Sequence, residues 1–330
     1  MPLIPAVLAL TLAAAAAAPT YTVTDRIAGP DGGWDLAAVA NGRLYVARSK
    51  AVMSVDLATK AMTPSLVPLS GGHGILAIPG GDLVLATSGG LGTATLFKGA
   101  TGEIVATIPV GKNPDAMTWD PATKTAWVFN PGSHDASVID PVAAKVIDTV
   151  AIPGARELGA ADGKGRIYLN VEDKNEVAVI DTRARKLLST FPLAGCDGPT
   201  GIAYSLKAKM IVSACGNGVA IVSAPDGKQV ATLKIGPRPD GAAFDEQRGR
   251  VLIPTGGDGA LSVIRLSPKP EVLSVAPTAK SARTIALDPA TGVAYLPSAQ
   301  YGPAPAAGGR APLLPGTFAV LVVGPASPAQ

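Results

Sequence analysis

The stretch Gly111–Ile152, GKNPDAMTWDPATKTAWVFNPGSHDASVIDPVAAKVIDTVAI, contains four short segments that are rich in apolar, β-branched and aromatic residues. Turns that contain proline separate these segments, and proline favours tight turns because its ring fixes φ. Short strands separated by such turns are typical of an antiparallel sheet. The stretch therefore predicts one four-stranded sheet, with strands at Ala116–Trp119, Thr125–Phe129, Ala136–Ile139 and Val146–Ile152.

Degraded copies of this stretch follow one another along the rest of the chain. The residue at the head of each copy recurs at a regular spacing of about 40 residues, which is typical of a β-propeller with one blade per repeat. Seven copies predict an all-β, seven-bladed propeller, and six or eight blades are the alternatives because the second copy matches least well. The matching head residues are Asp35, Gly74, Asp115, Glu157, Thr200, Asp240 and Arg283.

The two ends of the chain predict how the ring closes. The seventh copy ends with its third strand at 318–323, after an insertion at 299–316 that is rich in Pro, Gly and Ala. A strand-like segment without a copy of its own, Tyr21–Gly29, stands near the start. We expect this N-terminal strand to complete the last blade, because that pairing removes two open sheet edges. The predicted propeller domain is 20–324, followed by a flexible tail at 325–330.

Residues 1–18 are apolar and end in a run of alanines, as a secretory signal peptide does. This pattern predicts a periplasmic or secreted protein, and an uncleaved anchor is the alternative. No later stretch is long and apolar enough to span a bilayer. The net charge is +3 without a run of Lys or Arg, so nucleic acid is not an expected partner. We expect the mature protein to be a monomer.

Two cysteines, Cys196 and Cys215, flank one predicted hairpin. In an exported protein, a disulfide is the expected state of such a pair. In the chain-entropy model, closing a loop of this length contributes about 3 kcal/mol to stability. A reactive thiol pair is the alternative, although the chain has no C-x-x-C motif.

Several segments of the repeats carry a family signature. They are Trp127-Val128-Phe129-Asn130, Tyr168-Leu169-Asn170, Tyr45-Val46-Ala47 and Tyr295-Leu296-Pro297 in second strands, and Ile108-Pro109-Val110-Gly111 between two copies. These segments resemble the YVTN-repeat (YncE-like) family of secreted seven-bladed propellers. The resemblance covers essentially the whole mature chain and implies the fold, whereas the family as a whole implies no single reaction.

One face of the predicted propeller collects residues that could carry chemistry. Because antiparallel strands reverse direction, the loop before each first strand lies at the same end of the blade as the loop between its second and third strands. Both histidines, Arg238 and Glu172 fall on this face. His73 is a candidate base or metal ligand, or a histidine bonded to a loop carbonyl, whereas His134 is expected at the surface. The predicted ligand-binding residues at this channel mouth are Trp34, Asp35, His73, Asp115, Arg156, Glu157, Asp240 and Arg283.

The carboxylates at this mouth have two possible states. We predict no cofactor, and the alternative is a divalent cation such as Ca²⁺ held by Asp115, Glu157 and Asp240. Arg156, Arg238 and Arg283 can instead neutralise these carboxylates as ion pairs. A chain with two histidines excludes a histidine-rich metal centre, and G-x-S-x-G, H-E-x-x-H, phosphate-loop and C-x-x-C-H motifs do not occur.

Three functions follow as hypotheses. The first is an exported binding or scaffold propeller that uses the charged mouth for a small ligand or a protein partner. The second is a metal-dependent propeller hydrolase, lactonase or lyase, which requires the three carboxylates to converge on a cation. The third is an accessory subunit of a periplasmic dehydrogenase system. The absence of a catalytic motif favours the first hypothesis.

Overall fold

Four-stranded antiparallel sheets make up the computed structural model of this chain, which describes residues 20–305, 309 and 311–326. There are seven such sheets, and this confirms the predicted all-β, seven-bladed propeller. The predicted signal peptide and the last four residues of the predicted tail lie outside the described part of the chain. Within that part, no helix has the length and apolar character needed to cross a membrane.

The first strand of the chain, β1 (Tyr21–Ala28), belongs to the last blade, and the next 24 strands form six blades in chain order. Blades one to three contain β2 (Trp34–Ala40), β3 (Arg43–Arg48), β4 (Ala51–Asp56), β5 (Met62–Pro68), β6 (Gly72–Ala77), β7 (Leu83–Ser88), β8 (Thr93–Lys98), β9 (Ile104–Pro109), β10 (Met117–Asp120), β11 (Thr125–Asn130), β12 (Asp135–Asp140) and β13 (Lys145–Ala151). Blades four to six contain β14 (Arg156–Ala161), β15 (Arg166–Val171), β16 (Glu176–Asp181), β17 (Lys186–Pro192), β18 (Pro199–Ser205), β19 (Met210–Cys215), β20 (Val219–Ser223), β21 (Gln229–Lys234), β22 (Ala243–Asp245), β23 (Arg250–Thr255), β24 (Ala260–Arg265) and β25 (Glu271–Pro277). A short 3-10 helix, Glu172–Lys174, lies between β15 and β16.

The seventh blade joins the two ends of the chain. It contains β26 (Ala286–Leu287), β27 (Ala294–Ser298) and β28 (Ala319–Pro325), with β1 as its outermost strand. β1 pairs antiparallel with β28 along its whole length, from Tyr21 opposite Pro325 to Ala28. The predicted closure of the ring by the N-terminal strand is therefore confirmed. Pro325, the first residue of the predicted tail, takes part in this pairing and therefore lies within the sheet.

The core lies between the faces of neighbouring blades. Every residue of β11 is buried, and Trp127 and Phe129 pack in one cluster with Leu169 of the next blade. Burial of a large apolar side chain contributes about 1.5–3 kcal/mol. Neighbouring blades cover both faces of the second strand of a blade in this way. This explains why the second strands are continuous apolar runs in the sequence.

Aspartates stabilise the tight turns at the face opposite the channel mouth. In the turn after β10, the Asp120 carboxylate accepts hydrogen bonds from the backbone N–H groups of Ala122 and Thr123. Such side-chain bonds favour turns. Equivalent bonds are made by Asp56, Asp140, Asp181 and Asp288. These aspartates therefore have a structural role.

Hydrogen bonds beside the channel connect four pairs of neighbouring blades. Threonine hydroxyls donate to backbone carbonyls of the following blade: Thr87 to Asp115 (3.0 Å), Thr118 to Gly159 (2.8 Å), Thr200 to Pro239 (2.8 Å) and Thr284 to Asp35 (3.0 Å). The last of these bonds crosses from blade seven to blade one. The backbone that carries two of the predicted site residues is therefore held by neighbouring blades.

Cys196 and Cys215 form a disulfide, as predicted, with their Cα atoms 5.5 Å apart. The bond joins the segment that leads into β18 to the end of β19, and both cysteines are buried. Both of these segments lie at the channel-mouth end of blade five, so the disulfide fixes part of the wall around the mouth.

Candidate functional site

The innermost strands bring most of the predicted site residues to one mouth of the channel. First strands of neighbouring blades contact one another around the ring, so the segments that lead into them surround the channel. Asp35, His73 and Glu157 lie near the starts of β2, β6 and β14, and Asp115, Asp240 and Arg283 lie just before β10, β22 and β26.

Asp35, His73 and Asp115 form one group from three consecutive blades. The His73 Nδ1 atom lies 2.8 Å from Asp35 Oδ2 and 3.9 Å from Asp115 Oδ1. The three side chains are between 22% and 34% exposed, so they line the channel and are not part of the core. The hydrogen bond with Asp35 is the main cause of a raised pKa of His73, because it favours the imidazolium form.

Glu157, Asp240 and Arg283 continue the charged group around the ring. Arg283 Nε lies 2.8 Å from Asp240 Oδ2, and this ion pair joins blade six to blade seven. Glu157 lies near Glu172 of the short helix after β15, and the charge of Glu172 contributes to a raised pKa of Glu157.

Burial and mutual repulsion raise the pKa of three carboxyl groups in the channel. Burial is the main cause for each, and the charge of Asp35 adds to it at Asp115, whose pKa rises to about 6. Asp115 and Asp240 add to it at Glu157, whose pKa rises to about 9. The pKa of Asp240 rises to about 7, although the charge of Arg283 lowers it. Not all carboxyl groups of the mouth are therefore ionised at neutral pH. A positively charged ligand would reduce the repulsion between them.

Arg156, a predicted ligand-binding residue, does not join this group. Its side chain is fully buried and donates hydrogen bonds to the backbone carbonyls of Ile152 and Pro131, the second at 2.9 Å. The guanidinium also lies 3.1 Å from Nδ1 of His134, which is at the surface. Arg156 thus connects the segment before β14 to the loop between β11 and β12.

Trp34, at the start of β2, also lies apart from the charged group. Its ring packs against Phe318 and Tyr301, with ring centroids 5.2 Å and 6.4 Å away. The Arg48 guanidinium lies 3.7 Å from the Phe318 ring centroid and donates to the Gly33 carbonyl. Trp34 therefore belongs to an aromatic cluster where blades one and seven meet.

A cavity of about 530 Å³ opens at the mouth across blades four to seven. The sequence pattern places Glu172 and Arg238 on this face, but it assigns no role to Asp197. One sequence feature could have placed Asp197 at the mouth. It lies beside Cys196, just before the head of the fifth copy. The residues that line this zwitterionic cavity are Glu172, Asp197, Gly198, Thr200, Gly216, Arg238, Pro239, Asp240 and Arg283.

A second cavity, of about 550 Å³, lies on the same face between blades two and three. It is lined by Gly89–Gly92, by residues 109–113 and by Ser133. This lining is mostly glycine and backbone, with Lys112 as a charged side chain. It offers few side chains that could select a ligand, so the zwitterionic cavity is the stronger candidate.

Comparisons with known proteins bear on the fold. No family model matches the chain, and no curated protein matches it. The chain is similar to a chain of hydrazine synthase from Kuenenia stuttgartiensis, with a TM-score of 0.68 and 14% identity over 82% of this chain and 92% of that chain. It is also similar to a chain of the mitotic checkpoint complex, with a TM-score of 0.75 and 15% identity over 89% of this chain and 96% of that chain. The shared feature is the propeller. At this level of identity, function does not transfer with the fold.

The raised pKa of Glu157 predicts that stability falls as pH rises. The folded protein keeps this carboxyl group protonated up to about pH 9, whereas the unfolded chain ionises it near its ordinary pKa. Between these values the folded state binds more protons, so a rise in pH favours unfolding. We expect Tm to fall between about pH 5 and about pH 8, and Glu157→Gln to reduce that fall by about 3 °C or more. Thermal melts with a chelator in each buffer measure this.

Glu103→Gln is the matched control for this prediction. The Glu103 side chain is 61% exposed and pairs with Lys98 beside the outermost strand of blade two. The control should keep the pH dependence of the unmodified protein. Equal pH dependence of the unmodified protein and Glu157→Gln would contradict a protonated Glu157.

Proposed function

We propose that this protein is an exported propeller of the YVTN-repeat type that binds a small zwitterionic ligand at the channel mouth. The observation that carries the proposal is the cavity of about 530 Å³, into which four blades contribute charged side chains of both signs. Small-molecule sites usually combine a concave shape with a few convergent polar groups. The disulfide and the propeller fold are consistent with export and with a binding role.

Arg238 is the group proposed to bind the anionic end of the ligand. Its backbone N–H donates to the Gly216 carbonyl and its carbonyl accepts from the Gly256 N–H, so its position is fixed between two loops. Its side chain is exposed and has no hydrogen bond or ion pair with any other described residue. A guanidinium with free N–H groups can bind a carboxylate or phosphate through two parallel hydrogen bonds.

Acidic side chains of the same cavity are proposed to bind the cationic end. Glu172 and Asp197 are exposed, whereas Asp240 is already paired with Arg283. An ammonium group near Glu172 and Asp197 would interact favourably with both, while Arg238 binds a carboxylate. This combination of charges fits a free amino acid or a short peptide such as a dipeptide.

The hydrolase alternative has less support from the side chains that it requires. A Ca²⁺ site needs several ionised or carbonyl oxygen ligands, here Asp115, Glu157 and Asp240. Asp240 is paired with Arg283, and the raised pKa of Glu157 keeps it protonated at neutral pH. Two of the three carboxylates are therefore already engaged or neutral, which favours the binding role.

Calorimetric titration of the standard amino acids and of dipeptides into the mature protein tests the proposal. We expect free zwitterions to bind, and the same probes to bind more weakly with an acetylated amine or an amidated carboxyl group. Arg238→Ala should weaken binding by about tenfold or more, because a lost charge-assisted hydrogen bond costs about 1.5–3 kcal/mol.

Lys112→Ala, in the second cavity, is the matched control and should leave the affinity unchanged. Failure of every probe to bind at millimolar concentration would contradict the zwitterionic ligand. Unchanged affinity of the Arg238→Ala variant would contradict the assigned cavity.

A further inference from the structure

We infer that Asp35, His73 and Asp115 form a binding site for a divalent transition-metal ion of the Zn²⁺ or Mn²⁺ class. The three side chains offer one imidazole nitrogen and two carboxylate oxygens, all within 4.8 Å of one another. They come from blades one, two and three, whereas the zwitterionic cavity is lined by blades four to seven. The inference therefore does not rest on the proposed ligand.

The distances within this group are close to those between ligands that share one ion. Bonds from a metal ion to nitrogen or oxygen ligands are about 2.0–2.2 Å long, so neighbouring donor atoms around an ion lie about 3–4 Å apart. His73 Nδ1 lies 2.8 Å from Asp35 Oδ2 and 3.9 Å from Asp115 Oδ1. Small rotations of the side chains suffice to place all three donor atoms around one ion.

The chemistry of the donors selects the class of metal. Ca²⁺ and Mg²⁺ prefer oxygen ligands alone, whereas imidazole suits Zn²⁺ and other transition metals, and carboxylate suits Mn²⁺. A site with one imidazole and two carboxylates therefore favours Zn²⁺ or Mn²⁺. Because each side chain is partly exposed to the channel, water or a ligand can complete the coordination.

Neighbouring blades hold the backbone of these ligands in place. The hydroxyl groups of Thr284 and Thr87 donate to the carbonyls of Asp35 and Asp115, each at 3.0 Å. Gly74 follows the histidine, and a Cβ atom there would lie 2.2 Å from the Asp115 carbonyl oxygen. The absence of a side chain thus permits the close approach of blades two and three. Ligands on fixed backbone segments favour metal affinity because less order is lost on binding.

Titration of ZnCl₂ and of MnCl₂ into the chelator-treated mature protein tests the inference. We expect a single saturable site and a rise in Tm on binding. His73→Ala, Asp35→Asn and Asp115→Asn should each weaken binding by about tenfold or more. With Co²⁺ as a spectroscopic probe, His73→Ala should also change the visible absorption, because a nitrogen ligand is lost.

Two matched variants separate this site from its alternatives. His134→Asn removes the other histidine and retains a residue that tolerates its φ of +59°, and Glu157→Gln removes a carboxylate of the Ca²⁺ alternative. Both should bind the metal normally, and thermal melts of the metal-free variants check that they are folded. If neither Zn²⁺ nor Mn²⁺ binds, His73 and the two carboxylates interact only with one another, and the inference is overturned. Loss of binding in Glu157→Gln but not in His73→Ala would do the same. Amino-acid binding by the metal-free protein tests the proposed function separately.

Discussion

Deletion of Tyr21–Ala28 is expected to leave a chain that cannot form a stable monomer. β1 is the outermost strand of the seventh blade and pairs with β28 along its whole length. Tyr21 is buried on β1, and Val23 packs against the same cluster as Leu321 and Val323. Without β1, β28 presents an unpaired edge, which favours aggregation. The loss of stability should far exceed the value of about 1 kcal/mol typical of a point mutation.

Size-exclusion chromatography and thermal melts measure the effect of this deletion. A synthetic peptide of residues 20–29, added in trans, should restore a monomer if pairing with β28 is the missing contribution. Tyr21→Ala should lower Tm by several degrees because it opens a cavity, whereas Thr22→Ala, exposed on the same strand, should not. A truncated chain that remains monomeric with an unchanged Tm would show that the ring is stable without β1.

Loss of the disulfide is expected to cause the next largest change in stability. The bond joins Cys196 and Cys215, which are 19 residues apart, and closure of such a loop contributes about 3 kcal/mol in the chain-entropy model. The double variant Cys196→Ala, Cys215→Ala should therefore lower Tm by about 5 °C or more. Both cysteines are buried, so some loss of packing adds to the effect.

Reduction of the unmodified protein is the internal control for the disulfide prediction. Dithiothreitol should lower the Tm of the unmodified protein towards that of the double variant, and it should not change the Tm of the variant itself. Because Asp197 and Gly216 lie next to the cysteines and line the zwitterionic cavity, amino-acid binding should weaken in parallel. Identical melting curves before and after reduction would contradict a structural role for the bond.

The local geometry of the strands decides which of the predicted site residues meet. The repeat spacing identifies the heads of the blades, but it does not specify the direction of each side chain. Adjacent residues of a strand point to opposite sides of the sheet. The pairing of β2 with β3 and of β14 with β15 shifts register just after Trp34 and Arg156, which interrupts this alternation. In the structure, Glu157 joins the carboxyl groups while Arg156 is buried between loops, and Asp35 contacts the channel histidine while Trp34 packs in the aromatic cluster. Moving the alignment of a repeat copy by one residue changes which side chain faces the channel. The degenerate repeat does not define the alignment to that precision.

The zwitterionic cavity was harder to anticipate because four blades contribute to it. Counting strands assigns Arg238 and Glu172 to the correct face, but no local pattern specifies how far each side chain reaches. The expected neutralisation of carboxylates by arginine occurs between Arg283 and Asp240. Two other arginines were predicted to have this role. Arg156 instead bonds to backbone carbonyls, and the Arg238 side chain has no ion pair with any described residue. The fold thus follows from local periodicity, whereas the site depends on contacts between blades that are distant in sequence.

The pairing of β1 with β28 also imposes an order of assembly on the nascent chain. Blades one to six each consist of consecutive strands, so each can form once its own stretch has been synthesised. The seventh blade cannot, because its outermost strand is made first and its other strands are made last. Contacts between such distant segments form slowly, since loop closure has an entropic cost. Until β28 is available, β1 has no partner strand, so closure of the ring has to be a late step of assembly.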